Sequence, residues 1–139
     1  MHRWLRVGLV AAAVIAVAIQ LVPYGRDHAQ GRPAAVPWPS EEAATLFRQA
    51  CADCHTERTE WPWYSHVAPM SWLVQRDVDR GREAWNLSEE VDDLDDAAEA
   101  VVEGSMPPWH YRLAHPGERL SAEEKRTLVA ALEAMDEHD

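Results

Sequence analysis

The apolar positions of this chain fall into one continuous run followed by four stretches of helical spacing. From Val7 to Gly25 no charged residue occurs, and Val7–Val22 is almost wholly aliphatic. At 1.5 Å per residue such a run spans roughly 28 Å, enough to cross a bilayer core. The first helical stretch opens at Ser40, an N-cap hydroxyl followed by Glu41 and Glu42, and carries Ala43, Leu46, Phe47, Ala50 and Cys54 on one face. The second is predicted from Ser71 to Trp85, with Val74, Val78, Gly81 and Trp85 along a stripe. The third starts at Ser88 with Glu89 and Glu90, turns Val91, Leu94, Ala98, Val101 and Val102 inward, and stops at Gly104. The last opens on the capping box Ser121-Ala122-Glu123-Glu124 and presents Leu128, Ala131, Leu132 and Met135.

No alternating, β-branched run suggests a strand, so the pattern predicts an all-α domain of about four helices, joined by two long proline-containing loops. Three parts are expected: 1–25 as a signal anchor or transmembrane helix, 26–39 as a linker rich in Pro and Gly, and 40–139 as the folded domain. Arg3 and Arg6 precede the apolar run, and Trp4 and Tyr24 stand near its ends, where interfacial aromatics belong. Ala16-Val17-Ala18 has the small-x-small form of a cleavage site, but Ile19, Leu21 and Val22 continue the run beyond it. The run therefore reads as an uncleaved anchor in the cytoplasmic (inner) membrane, single-pass, with the domain on the periplasmic side.

Charge sharpens the division. Residues 1–39 hold four arginines against Asp27, so most of the net −11 belongs to the domain. Such an acidic domain has no affinity for nucleic acid. The run Asp92, Asp93, Asp95 and Asp96 is most simply the solvated side of the third helix.

The chain's two cysteines lie together in Cys51-Ala52-Asp53-Cys54-His55. C-x-x-C-H is the attachment signature of c-type haem. Two thiols reach the two vinyl groups of a porphyrin edge, and the following histidine supplies the proximal imidazole. A zinc site needs four Cys or His ligands, usually with a second close pair, and the chain has no third cysteine. A thioredoxin-like dithiol expects strands around it. Covalent haem also requires export, which the N-terminal run supplies.

Two loops bear on the other face of such a haem. Trp61-Pro62-Trp63-Tyr64 is either a lid over the haem edge or a satellite core beneath a loop. Ser105-Met106-Pro107-Pro108-Trp109 presents a thioether from a stiff segment, which makes Met106 a candidate sixth iron ligand. The competing assignment is that Met106 fills core space, and the competing ligands are Met70, His66, His110 and His115.

Residues 40–139 resemble a small haem-binding domain family built on C-x-x-C-H and related to the class I cytochrome c fold. The resemblance rests on Cys51, Cys54 and His55, on Trp61-Pro62-Trp63-Tyr64-Ser65 with Ala68-Pro69, on Gly81-Arg82 and Trp85-Asn86, and on Gly104-x-Met106-Pro107-Pro108. Tyr111, His115 and Leu120-Ser121 extend it, and Gln20-Leu21-Val22-Pro23 with Gly25-Arg26 fits the membrane-anchored members. It implies one covalent haem c, with His55 proximal and Met106 distal. The expectation is a membrane-tethered monohaem electron carrier serving redox partner proteins, not an enzyme. The alternative is a haem-based redox or gas sensor, or a peroxidase-like protein, with an open distal site.

Overall fold

The computed structural model describes residues 2–32, 36–89 and 94–136. Among them every regular element is helical: α1 (His2–Ala18), α2 (Glu41–Ala50), α3 (Ala52–His55), α4 (Met70–Ala84), α5 (Leu94–Glu103), α6 (Trp109–Ala114) and α7 (Ala122–Asp136), with short 3-10 turns at Ile19–Leu21, Trp63–His66 and Pro116–Glu118. α1 and its closing turn are long and apolar enough to cross a membrane, and none of that stretch is buried against the rest of the chain.

The core forms where α2, α5 and α7 meet. Leu46 and Phe47 of α2 join Leu94, Ala97, Ala98 and Val101 of α5 and Leu128 and Leu132 of α7. All but Ala97 are positions that helical spacing turned inward. Val102 is a correction: it is 69% exposed. α5 packs principally on the single helix α7, which covers a narrower arc than the inner face expected for α5. Val91 lies outside the described residues.

Capping follows the sequence at two helices and departs from it at a third. Ser40 Oγ accepts the Ala43 N–H at 3.1 Å. The Ser121–Glu124 box closes from both sides, at 2.7 and 3.2 Å. Ser71, by contrast, does not cap α4, which begins one residue earlier behind Pro69; its hydroxyl is buried and finds no partner among the described residues. The Ser88 hydroxyl accepts the Glu57 N–H at 2.9 Å, while the helix start expected after it falls outside the described residues and α5 is described from Leu94.

Two further departures matter for the site. The first domain helix, expected to run through the cysteines, ends at Ala50, and Cys51 leaves helical geometry before α3 begins. A separate helix, α6, follows Pro108 where a loop was expected.

Much of the segment expected as a linker is packed. Gly31 N–H bonds the Glu57 carbonyl at 2.8 Å, and Gln30 reaches the Thr59 carbonyl. His28 bonds the Ser65 carbonyl at 3.1 Å and stacks on Trp61 at 4.2 Å. Trp38 lies 4.9 Å from Phe47 and packs on the core. Such contacts join remote parts of the chain and leave no periodicity behind.

Candidate haem site

The break at Cys51 creates the site. Its N–H still bonds the Phe47 carbonyl at 2.9 Å, while its own carbonyl accepts the N–H groups of Cys54 and His55 at 3.1 and 3.0 Å. One short turn therefore carries both thiols and the imidazole at a new angle to α2. α4 crosses directly beneath it. A Cβ built on Gly81 would stand 2.9 Å from Cys54 Cβ and closer still to the Cys54 carbonyl oxygen, so a side chain there would force the two elements apart. Arg82 on the same helix ties the turn's exit, donating to the Thr56 carbonyl at 2.9 Å and to Thr59 Oγ1 at 3.2 Å.

His55 is only 5% exposed. Its Nδ1–H donates to the Trp85 carbonyl at 3.2 Å, which leaves Nε2 unprotonated with a free lone pair. The ring stacks on the Trp85 indole at 3.9 Å and 15°. Burial holds the imidazole pKa below its ordinary value, against the opposing pull of backbone groups of Trp85 and Gly81. A neutral imidazole anchored through one nitrogen is the form in which histidine ligates a metal.

The two cysteines are free thiols. Burial pushes both up to about 12, reinforced at Cys51 by Cys54 and at Cys54 by Asp53 and Asp77. Met106 is placed from α5. Gly104, at φ +78°, turns the chain out of the helix, and the Met106 N–H then returns to the Ala100 carbonyl at 3.1 Å.

Cys51, Cys54, His55 and Met106 all line one cavity of about 430 Å³, walled also by Gly81, Trp85, Val101, Pro107, Tyr111 and Leu132. That volume lies within the range of small-molecule and cofactor pockets. With two thiols, an anchored neutral imidazole, a thioether and apolar walls, the donor set fits a haem.

The other candidate ligands lie elsewhere. Met70, His110 and His115 line a neighbouring cavity of about 330 Å³, which shares Asp53, Cys54, Asp77, Pro108 and Tyr111 with the first. His110 donates to Asp77 at 2.6 Å. His115 donates from Nδ1 to Glu118 at 3.2 Å and accepts the Tyr64 hydroxyl at Nε2, at 2.7 Å. His66 is exposed, edge-on to His28 at 4.4 Å. The Trp61–Tyr64 loop divides: Trp61 packs under it on His28, Tyr64 faces the second cavity, and Trp63 points outward.

Helical spacing missed the network beside the cavity. Tyr111 donates to Glu118 and lies 3.3 Å from Asp53. Burial, followed by the bond to Glu118, raises its pKa far above the usual phenol value. The sequence signal was weak, a tyrosine on a short helix that itself went unpredicted and a histidine just past its end.

Compared with known proteins, residues 14–134 match the family model described as a haem-binding domain. The chain belongs to that haem-binding domain family. No curated protein and no solved structure matches it.

Proposed function

We propose that this chain is a membrane-anchored, monohaem c-type cytochrome that transfers electrons on the periplasmic side of the cytoplasmic membrane. One observation carries the reading: the thiols of the C-x-x-C-H motif, the imidazole that follows them and Met106 line a single cavity, while the other candidate ligands do not. Cys51 and Cys54 would hold the haem covalently through their sulfurs, and His55 Nε2 and Met106 Sδ would ligate its iron. The bound haem supplies a one-electron Fe(III)/Fe(II) couple.

The residues of the chain determine the rest. Trp85 holds the imidazole in one tautomer and one orientation through its carbonyl and its indole face. Val101 and Leu132 give the cavity an apolar wall, and the Ala100–Met106 hydrogen bond ties the backbone that carries the thioether to α5. With His55 and Met106 both ligating the iron, no position would stay open for a substrate, which favours a carrier over an enzyme. Arg3 and Arg6, in the first turns of α1 and ahead of its apolar run, support an orientation with the domain outside.

The test is spectroscopic. The purified chain should keep its haem through denaturing electrophoresis and show a c-type α band on reduction. Met106→Ala should abolish the sulfur-to-iron charge-transfer band, whereas Met70→Ala should leave it unchanged. Absence of the α band would sink the reading. The second cavity, with Tyr64, His110 and His115 beside Cys54, favours one rival: an open distal site used for sensing or peroxide chemistry. Rapid carbon monoxide binding by the reduced protein at neutral pH identifies that rival, and resistance identifies the carrier.

A further inference from the structure

α1 and its 3-10 turn end at Leu21, and Gln20 is the first polar side chain after Arg6, at the far end of the apolar run. Gln20 therefore stands at the end of the helix from which the chain leaves the membrane. Its side chain is clamped to the domain: Nε2 donates to the Ala68 carbonyl at 3.0 Å, and the Ala68 N–H donates to Oε1 at 3.0 Å. Tyr24 follows with a bond to Asp79 at 3.0 Å. The loop carrying Ala68 is thus held at the same depth as the helix end.

That loop has the composition of a membrane interface. From Trp61 through Gln75 no Asp, Glu, Lys or Arg occurs, in a chain that is 27% charged. Trp61 and Trp72 of this stretch bury their indole nitrogens, and Trp63 is left facing outward, a residue type that settles at headgroup level. Trp63 is 79% exposed, and Val67 and Met70 are exposed with it. α6 adds Trp109 and Leu113, one turn apart on one side of the helix, 70% and 67% exposed. Both share the walls of the second cavity with Met70 and Tyr64, so α6 borders the uncharged stretch. An acidic domain is repelled by anionic headgroups, and this uncharged strip is the part of it suited to meet them.

We infer that this face, built from Trp63, Val67, Met70, Trp109 and Leu113, lies on a phospholipid surface, the headgroup–acyl boundary of the leaflet from which α1 emerges. The inference rests on α1 spanning the bilayer. The haem domain is then laid against the membrane in one orientation instead of swinging on a tether, and the second cavity borders the lipid.

The full chain, reconstituted in phosphatidylcholine vesicles containing a phosphatidylcholine with a diazirine high on its acyl chain, is illuminated, and the adducts are mapped by peptide mass spectrometry. Adducts are expected on Trp63–Met70 and Trp109–Leu113 as well as along α1. The double variant Trp63→Glu, Trp109→Glu, both changes at exposed positions, should lose the domain adducts and keep those on the helix. Adducts confined to α1 overturn the inference and leave the anchor intact, whether water or a second protein covers the face. Failure of the chain to float with the vesicles overturns the anchor, and this placement with it.

Discussion

The imidazole of His55 lies flat on the indole of Trp85, 3.9 Å away, and donates its Nδ1 proton to the carbonyl of the same residue. One residue at the end of α4 thus sets both the plane and the tautomer of the proposed iron ligand. Trp85→Ala keeps the carbonyl and removes the indole. Large-to-small aromatic changes in cores cost about 3–5 kcal/mol, and Trp85 is half-buried, so a loss near 2–3 kcal/mol in chemical denaturation is expected. A shift in reduction potential, measured by redox titration, should accompany it. A variant with unchanged potential would show that the stack does not orient the ligand.

Gly81 makes a second, equally local prediction. A Cβ there collides with the backbone and Cβ of Cys54. Gly81→Ala should destabilise the fold by about 1–3 kcal/mol, the usual range for overpacking, and lower the fraction of chain that carries haem. Gly117→Ala is the control, since a Cβ there meets nothing within 4 Å. Haem absorbance per protein, compared between the two variants, decides the matter.

The thiols predict an alkaline limit for the haem-free chain. Their folded pKa values, pushed up to about 12, lie above the ordinary thiol value. The unfolded chain then releases protons first, so their contribution to stability is present below pH 9 and is lost as pH rises from there towards 12. Thiolate is the reactive form. Alkylation by iodoacetamide at pH 8 should therefore be slower in the folded apoprotein than in denaturant by about two to three orders of magnitude. Equal rates would show that the thiols are not shielded.

The capping box at the start of α7 supports the helix that supplies Leu128 and Leu132 to the core. Ser121→Ala removes the hydroxyl that accepts the Glu124 N–H and should cost about 1 kcal/mol. Thermal unfolding should show it as a lowered Tm with unchanged haem spectra, because Ser121 lies outside the haem cavity.

Comparison of sequence and structure separates two kinds of information. Helical spacing placed Leu46, Phe47, Leu94, Ala98, Val101, Leu128 and Leu132 in the core, because a helix face repeats within the chain itself. Ser40 and Ser121 were legible as caps for the same reason, each bonding within three residues. Ser71 carried the same local signal and was drawn elsewhere by the earlier helix start behind Pro69, while the Ser88 hydroxyl accepts the Glu57 N–H. The packing of Gln20 to Gly31 was invisible, since its partners Ala68, Asp79, Ser65, Thr59 and Glu57 lie far along the chain.

The sequence by itself determined the chemistry that adjacent residues can encode: two thiols and an imidazole at haem-attachment spacing, an apolar run of membrane length, and the inner faces of the core helices. Only the tertiary structure decided which distant groups meet them. It brought Met106 into the cavity of His55, set Met70 and three histidines aside, laid Trp85 under the imidazole, and clamped Gln20 to Ala68. Spacing within a helix is a property of the backbone and can be read from a string. Proximity between residues thirty or more positions apart depends on how helices cross, and here that crossing turns on the absence of a side chain at Gly81.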